Sequence, residues 1–161
     1  MLDIDFNANK ILEMKFTCQV DVNLPIKRVI ELFDNPDNMR EWQDGFESFE
    51  HLSGEPGQPG AKSRVTYDMG KRGKMELIET VLVRNLPHEF SGTYEHKHMT
   101  NSLKNYFKEL DSNKTRWISE VHYTQMNGFM IKLMAFFFPG MFKKQVQKWM
   151  DQFKVFAERV G

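Results

Sequence analysis

In the stretch "MELIETV", Met75 to Val81, strict alternation sets Leu77, Glu79 and Val81 on one side of an extended chain, so that a carboxyl group stands among apolar neighbours. Such surroundings penalise the charged form, raise the pKa and suit general acid or base work. Glu79 is therefore the candidate catalytic residue. A slip of one residue in register would instead leave Glu76 and Glu79 in solvent or in surface ion pairs, and alternation alone leaves both readings open.

The other polar residues on the same apolar side are Tyr67, Tyr94, Asn105, Ser119 and Tyr123. A buried polar group needs a partner, which is either another core group, water or a ligand. Core hydrogen bonding is the commoner fate of a tyrosine, and ligand contact is the alternative for Tyr67, Tyr94 and Tyr123. In "HKH", His96 and His98 put two imidazoles on one strand face, but a zinc site wants three or four ligands. His51, His88, His122 and the single Cys18 show no matching spacing. The chain carries no nucleophile elbow, phosphate-cradling loop or dinucleotide fingerprint, so neither metal nor cofactor is expected.

These residues need a sheet to position them. "LEMKFTCQVDV", Leu12 to Val22, alternates with Met14, Phe16, Cys18, Val20 and Val22 on one face, a strand with one wet side. Strand spacing recurs over 46–52, 61–69, 74–83, 89–98, 102–110 and 115–126, with "GKRG", "NLPHE" and "DSNK" as punctuation. About seven antiparallel strands result. Inward partners of Phe16, Cys18 and Val20 are then Val65, Tyr67 and Met69; Leu77, Glu79 and Val81; Phe90, Gly92 and Tyr94; Asn105 and Phe107; and Trp117, Ser119, Val121 and Tyr123. Between the first two strands, Pro25 opens a helix with Ile26, Val29, Ile30 and Phe33 at helical spacing, and a second helical turn spans 36–42.

After Gly128 the period changes from strand to helix. Val146, Trp149, Met150, Phe153, Phe156, Ala157 and Val160 form one helical stripe, and this long helix must cover the apolar sheet face. Just before it lies "LMAFFFPGMF", Leu133 to Phe142. Its uninterrupted apolar run is about half the ~20 residues a membrane-spanning helix needs. Pro139 breaks it into two pieces, so the cover over the sheet is kinked and can leave a cavity lined from above by Phe136, Phe137, Met141 and Phe142. Lys132, Lys143 and Lys144 flank the run, which also fits a peripheral membrane or protein contact through the 133–142 patch.

Lys plus Arg equals Asp plus Glu, 22 each among 161 residues, so the basic footprint of a nucleic-acid binder is missing and no such partner is expected. Acidic Asp3 and Asp5 stand where a secretory signal would be basic, and the one cysteine cannot form an internal disulfide; a cytoplasmic location follows as an expectation. A length of 161 residues suits one domain, 1–161. Oligomeric state is not legible in the sequence.

The order of elements resembles the helix-grip fold of the SRPBCC superfamily, which includes START lipid-transfer domains, the major birch-pollen allergen group and polyketide cyclase-like proteins. The stretches that carry the resemblance are "LPIKRVIELFDNPDNMREWQ", "FEHLSGEPGQPGAKSRVTYDMG", "MELIETVLVRNLPHEFSGTYE" and "NYFKELDSNKTRWISEV". The resemblance implies an α+β fold in which a curved seven-stranded antiparallel sheet wraps a long C-terminal helix, with two short helices after the first strand. It also implies a deep apolar cavity between sheet and helix for a hydrophobic small-molecule ligand such as a lipid or polyketide-like compound. In that setting Tyr67, Glu79, Tyr94, Asn105, Phe107, Ser119, Tyr123, Phe136, Phe137, Met141, Phe142, Trp149 and Phe153 are the expected ligand-binding residues. An enzyme of cyclase or dehydratase type, with Glu79 and Tyr67 or Tyr94 as acid and base, is the alternative; no catalytic motif of the enzymatic branches matches this sequence.

Overall fold

The alternation of 13–22 becomes a strand in which Met14, Phe16, Cys18, Val20 and Val22 are all buried while the residues between them face out. A computed structural model describes residues 3–5, 13–128, 133, 137–138 and 140–161. The strands are β1 (Asp3–Asp5), β2 (Glu13–Val22), β3 (Phe46–Ser53), β4 (Lys62–Asp68), β5 (Lys74–Asn85), β6 (Glu89–His96), β7 (Met99–Asp111) and β8 (Lys114–Met126). They form one antiparallel 8-stranded sheet in the order β1-β2-β8-β7-β6-β5-β4-β3. All seven expected strands are present. The addition is β1, three residues paired to β2 at its start and too short to leave a periodic signal.

Helices α1 (Ile26–Phe33) and α2 (Met39–Trp42) carry the chain from β2 to the opposite edge, with a 3₁₀ turn (Pro36–Asn38) between them. Pro25 caps α1 rather than opening it. Val29 and Leu32 are its buried residues, and Phe33 at its end packs edge-on against Phe107 and Trp117, with ring centroids 4.9 and 5.2 Å apart. A bidentate pair between Arg84 of β5 and Asp34, just past α1, ties this helix to the sheet. At the entry to β3, Gly45 has φ 76° and its Cα lies so close to β4 that a Cβ would sit 2.5 Å from the Asp68 carbonyl oxygen; only glycine fits.

The long helix α3 (Gly140–Val160) packs on β2 and α2. Met150, Phe153, Phe156 and Ala157 are its buried residues. Phe153 is fully buried within a ring of aromatics, its centroid 5.2 Å from Trp117 and 5.5 Å from Trp42. Val146 and Trp149 on the same stripe are partly buried, whereas Val160, in the last turn, is 40% exposed. Side chains of α3 also reach the β2 backbone. Gln147 Nε2 donates to the Gln19 carbonyl at 3.0 Å and Lys154 Nζ to the Asp21 carbonyl at 2.7 Å, while Glu158 accepts the Asn23 N–H at 2.7 Å.

Candidate functional site

Strand register settles the side on which each polar residue lies. Cα partners across the sheet include Cys18 with Ser119, Ser119 with Asn105, Asn105 with Phe90, and Glu79 with Tyr94 and Ser63. Directly opposed residues share a face, so Glu79 lies on the face that carries Val65 and Leu77, and it is 8% exposed. Glu76, paired with Thr66, points the other way and is exposed. The register does not slip.

Glu79 and Tyr94 form the centre of the inner polar group. Tyr94 Oη donates to Glu79 Oε2 at 2.7 Å. Burial pushes the Glu79 carboxyl above the usual carboxylate range, an effect the Tyr94 hydrogen bond only partly offsets, and among the described residues no cation acts on it. The Tyr94 phenol is held well above its ordinary value by burial, with the Glu79 charge adding to it. Gly92 stands beside this pair; a Cβ there would meet the Thr80 carbonyl oxygen at 3.0 Å and the Glu79 Cγ at 3.9 Å.

Tyr67 flanks the pair on β4. Its hydroxyl donates to Gln43 Oε1 at 2.6 Å, and its ring stacks on Trp149 of α3 at 5.5 Å and 12°. Burial first, then the Glu79 charge, raises the Tyr67 pKa. The Trp149 indole Nε1 is buried without a hydrogen-bond partner, as is Ser119 Oγ on β8. An indole N–H can only donate, so this unused donor is an available anchor for an acceptor.

Around the pair, apolar surface is only partly buried. Met75, Leu77, Leu103 and Tyr94 lie on the inner face by register, and each stays only half-buried, although β2 and β8 beside them are fully packed. The helix α3 makes its main contacts with β2 and α2, and reaches β4 through Trp149 on Tyr67. This is the arrangement of a site wall: apolar surface with a carboxyl and a phenol set into it.

The remaining candidates divide. Asn105, Phe107 and Phe153 belong to core, where Asn105 Oδ1 accepts the Trp117 indole at 3.0 Å. Tyr123 packs on Phe142 and Phe16, centroids 5.1 and 6.2 Å apart, and burial raises its pKa. Two candidates are not brought to the inner group: Phe137 and Met141 are 61% and 41% exposed. Phe136 lies outside the described residues. Met69, expected to face inward, falls just beyond β4 and is 36% exposed. Missed by the alternation were Gln43, which follows α2 in extended conformation and belongs to no strand, and the buried inner-face residues Ser63 and Asn101. Ser63 was findable by extending β4 two residues back from Val65, and Asn101 by extending the 102–110 stretch one residue back, where it continues the alternation of Asn105 and Leu103.

Other polar groupings lie apart. His96 and His98 meet edge-on with ring centroids 5.5 Å apart, and burial, with the charges of His98 and Lys97, lowers the His96 pKa. Among the described residues no group of three or more His, Cys, Asp or Glu could hold a metal. On the outer side of the sheet a recess of about 460 Å³ is bordered by Lys15, Thr17, Ser91, Ser102, Lys104 and Glu120. Of the lysines on its border, Lys104 is matched by Glu89 at 3.7 Å. Among the described residues no helix is long and apolar enough to cross a membrane.

No family model matches the sequence, and no curated protein is significantly similar to it. Solved structures do resemble it. The Thermus thermophilus protein TTHA0849 aligns with TM-score 0.73 and 13% identity over 91% of this chain and 99% of its own. The Zhui aromatase/cyclase from Streptomyces sp. R1128 aligns with TM-score 0.75 and 11% identity over 91% of this chain and 94% of its own. Ara h 8.0201 aligns with TM-score 0.69 and 12% identity, covering 90% and 97%. The likeness is one of backbone course over almost the whole chain, and on it this chain has the helix-grip fold.

Proposed function

We propose that the chain binds a hydrophobic small molecule between the inner face of its sheet and α3, with Glu79 and Tyr94 at the polar end of the site. The observation that carries this reading is the half-buried apolar surface of Met75, Leu77 and Leu103 around the hydrogen-bonded pair of the buried Glu79 carboxyl and the Tyr94 phenol. Fold-mates that include an aromatase/cyclase support it at the level of architecture only. The test is organic extraction of the purified protein followed by mass spectrometry against a mock purification. An apolar compound in stoichiometric amount is expected, and it should be lost from Leu103→Glu. The same compound in the same amount from that folded variant would place it elsewhere.

A second reading is acid–base catalysis of cyclase or dehydratase type, favoured by the upward shift of the Glu79 carboxyl with a phenol in hydrogen-bond contact. Under it, Glu79→Gln removes turnover of the extracted compound and spares its uptake. A cytoplasmic setting belongs to the same proposal, supported by Cys18, which is buried and free.

A further inference from the structure

The inner face is unusual in what it omits. From β2 through β8, the positions that register places around Glu79 and Tyr94 are apolar or neutral polar: Ser63, Leu77, Asn101 and Leu103 are the nearest in pairing, and none is Lys or Arg. Tyr67, Tyr123 and Cys18 are the other titratable groups of this face and none is a cation; among the described residues the basic groups at its margins are His96, at the end of β6, and Lys143 of α3. His96 is held toward its neutral form by burial, and Lys143 acts on Cys18 rather than on Glu79. Among the described residues the ion pairs lie at the surface or at the edges of the sheet, and none of them includes Glu79.

Two consequences follow for a molecule placed here. A carboxylate head would be taken out of water with no counter-ion. It would either face an ionised Glu79 as a like charge or force the carboxyl to hold a proton on its behalf. A neutral acceptor carries no such charge penalty, and the unfilled hydrogen-bonding groups on this side include the Trp149 indole N–H, which can only donate, and the Ser119 hydroxyl, which is able to donate.

We propose that the inner site selects its ligand by charge: it takes an apolar molecule whose polar end is an uncharged hydrogen-bond acceptor, such as a carbonyl, and rejects a carboxylate-headed one, with Glu79 as the residue that sets this preference. The inference rests on the binding reading above and adds the chemical class of the ligand.

The test is a matched pair of probes, 2-decanone and decanoate, titrated calorimetrically into the wild-type protein and into Glu79→Gln at neutral pH. Since an unpaired buried charge costs more than a factor of ten in affinity, the ketone should bind at least about tenfold more tightly than decanoate to the wild type. In Glu79→Gln the amide keeps an oxygen for Tyr94 and offers an N–H to a carboxylate. Decanoate should then gain at least about threefold while the ketone changes by less than about threefold. Decanoate binding as tightly as the ketone to the wild type would overturn the charge preference and leave the binding reading standing. An unchanged ratio in a variant that melts cooperatively would overturn the role of Glu79. If neither probe binds, the site reading falls and the inference falls with it.

Discussion

Replacing Glu79 by Gln should make the protein more stable at neutral pH, and the gain should depend on pH in a definite direction. Burial raises the Glu79 pKa in the folded state, whereas in the unfolded chain it returns to about 4.3. Between those two values the folded state holds the proton and the unfolded state does not. Stability contributed by the protonated carboxyl is therefore fully present below about pH 4.3 and is lost as pH rises through the folded value. Each pKa unit of elevation corresponds to about 1.4 kcal/mol lost at high pH, which in a chain of this size is about 3–5 °C in Tm. Gln does not titrate, is nearly isosteric, and keeps an acceptor for the Tyr94 hydroxyl now bonded at 2.7 Å. Thermal melts of both proteins by circular dichroism, from about pH 4 to about pH 8, give the test. The curves should nearly coincide at the acid end and separate upward in favour of the variant. A Tm difference that is flat with pH would show that Glu79 is not held protonated by burial. A wild type that gains on the variant as pH rises would mean that the carboxylate has found a cation, and would refute the account of the inner face.

Three further outcomes are expected. Phe153→Ala removes a side chain with no exposed surface from contact with Phe33, Trp42, Trp117 and Phe156, so denaturant unfolding should show a loss of about 3–5 kcal/mol; under about 1.5 would mean that the aromatic ring of residues is not a packed core. Asp21→Asn breaks a bidentate pair with Arg116 at 2.6 and 2.8 Å, but both side chains are about a third exposed, so the cost in the same assay should stay below about 1 kcal/mol. Because Arg116 holds the Asp21 carboxyl below its usual range, that small contribution is present above about pH 3.9 and disappears as the pH falls through the depressed value; a difference persisting in strong acid would assign it to packing. Tyr67→Phe deletes the hydrogen bond to Gln43 while leaving the stack on Trp149, and a cost of about 1 kcal/mol by denaturant melt is expected; none would mean that the bond is exchanged for water without loss.

Most of the sheet was readable because one of its faces is buried and the other is wet, so apolar and polar residues must alternate. Met14 through Val22 and Trp117 through Tyr123 show the pattern without interruption, and Phe153 and Met150 show its helical counterpart. The reading weakened wherever the backbone departs from regular pairing. A shift in register between Val81 and Val83 leaves Leu82 and Val83 exposed, and the buried amide of Asn101 lies one residue before the 102–110 stretch read as strand. Phe137 and Met141 were placed over the sheet from the apolar run and its break at Pro139, and neither says which side of a helix start a residue occupies. Glu79 was legible as a carboxyl in an apolar pattern, but its partner was not. That Tyr94 rather than Tyr67 donates to it follows from the pairing of β5 with β6, which no single strand encodes.

The bonds from α3 to the carbonyls of Gln19 and Asp21 have a meaning beyond holding a helix in place. Along β2, β1 pairs only with Glu13 to Lys15, so the rest of that strand would present the backbone groups onto which a strand from another molecule could add. Gln147 and Lys154 occupy two of those acceptors, two residues apart, with side-chain donors that cannot extend a sheet. At the opposite margin β3 pairs with β4 through two irregularities, near Phe46 and near Ser53, and carries Glu47 and Glu50 between them. The sheet is thus blunted at both margins by different means, and protection against runaway self-association is built into the same helix that covers its face.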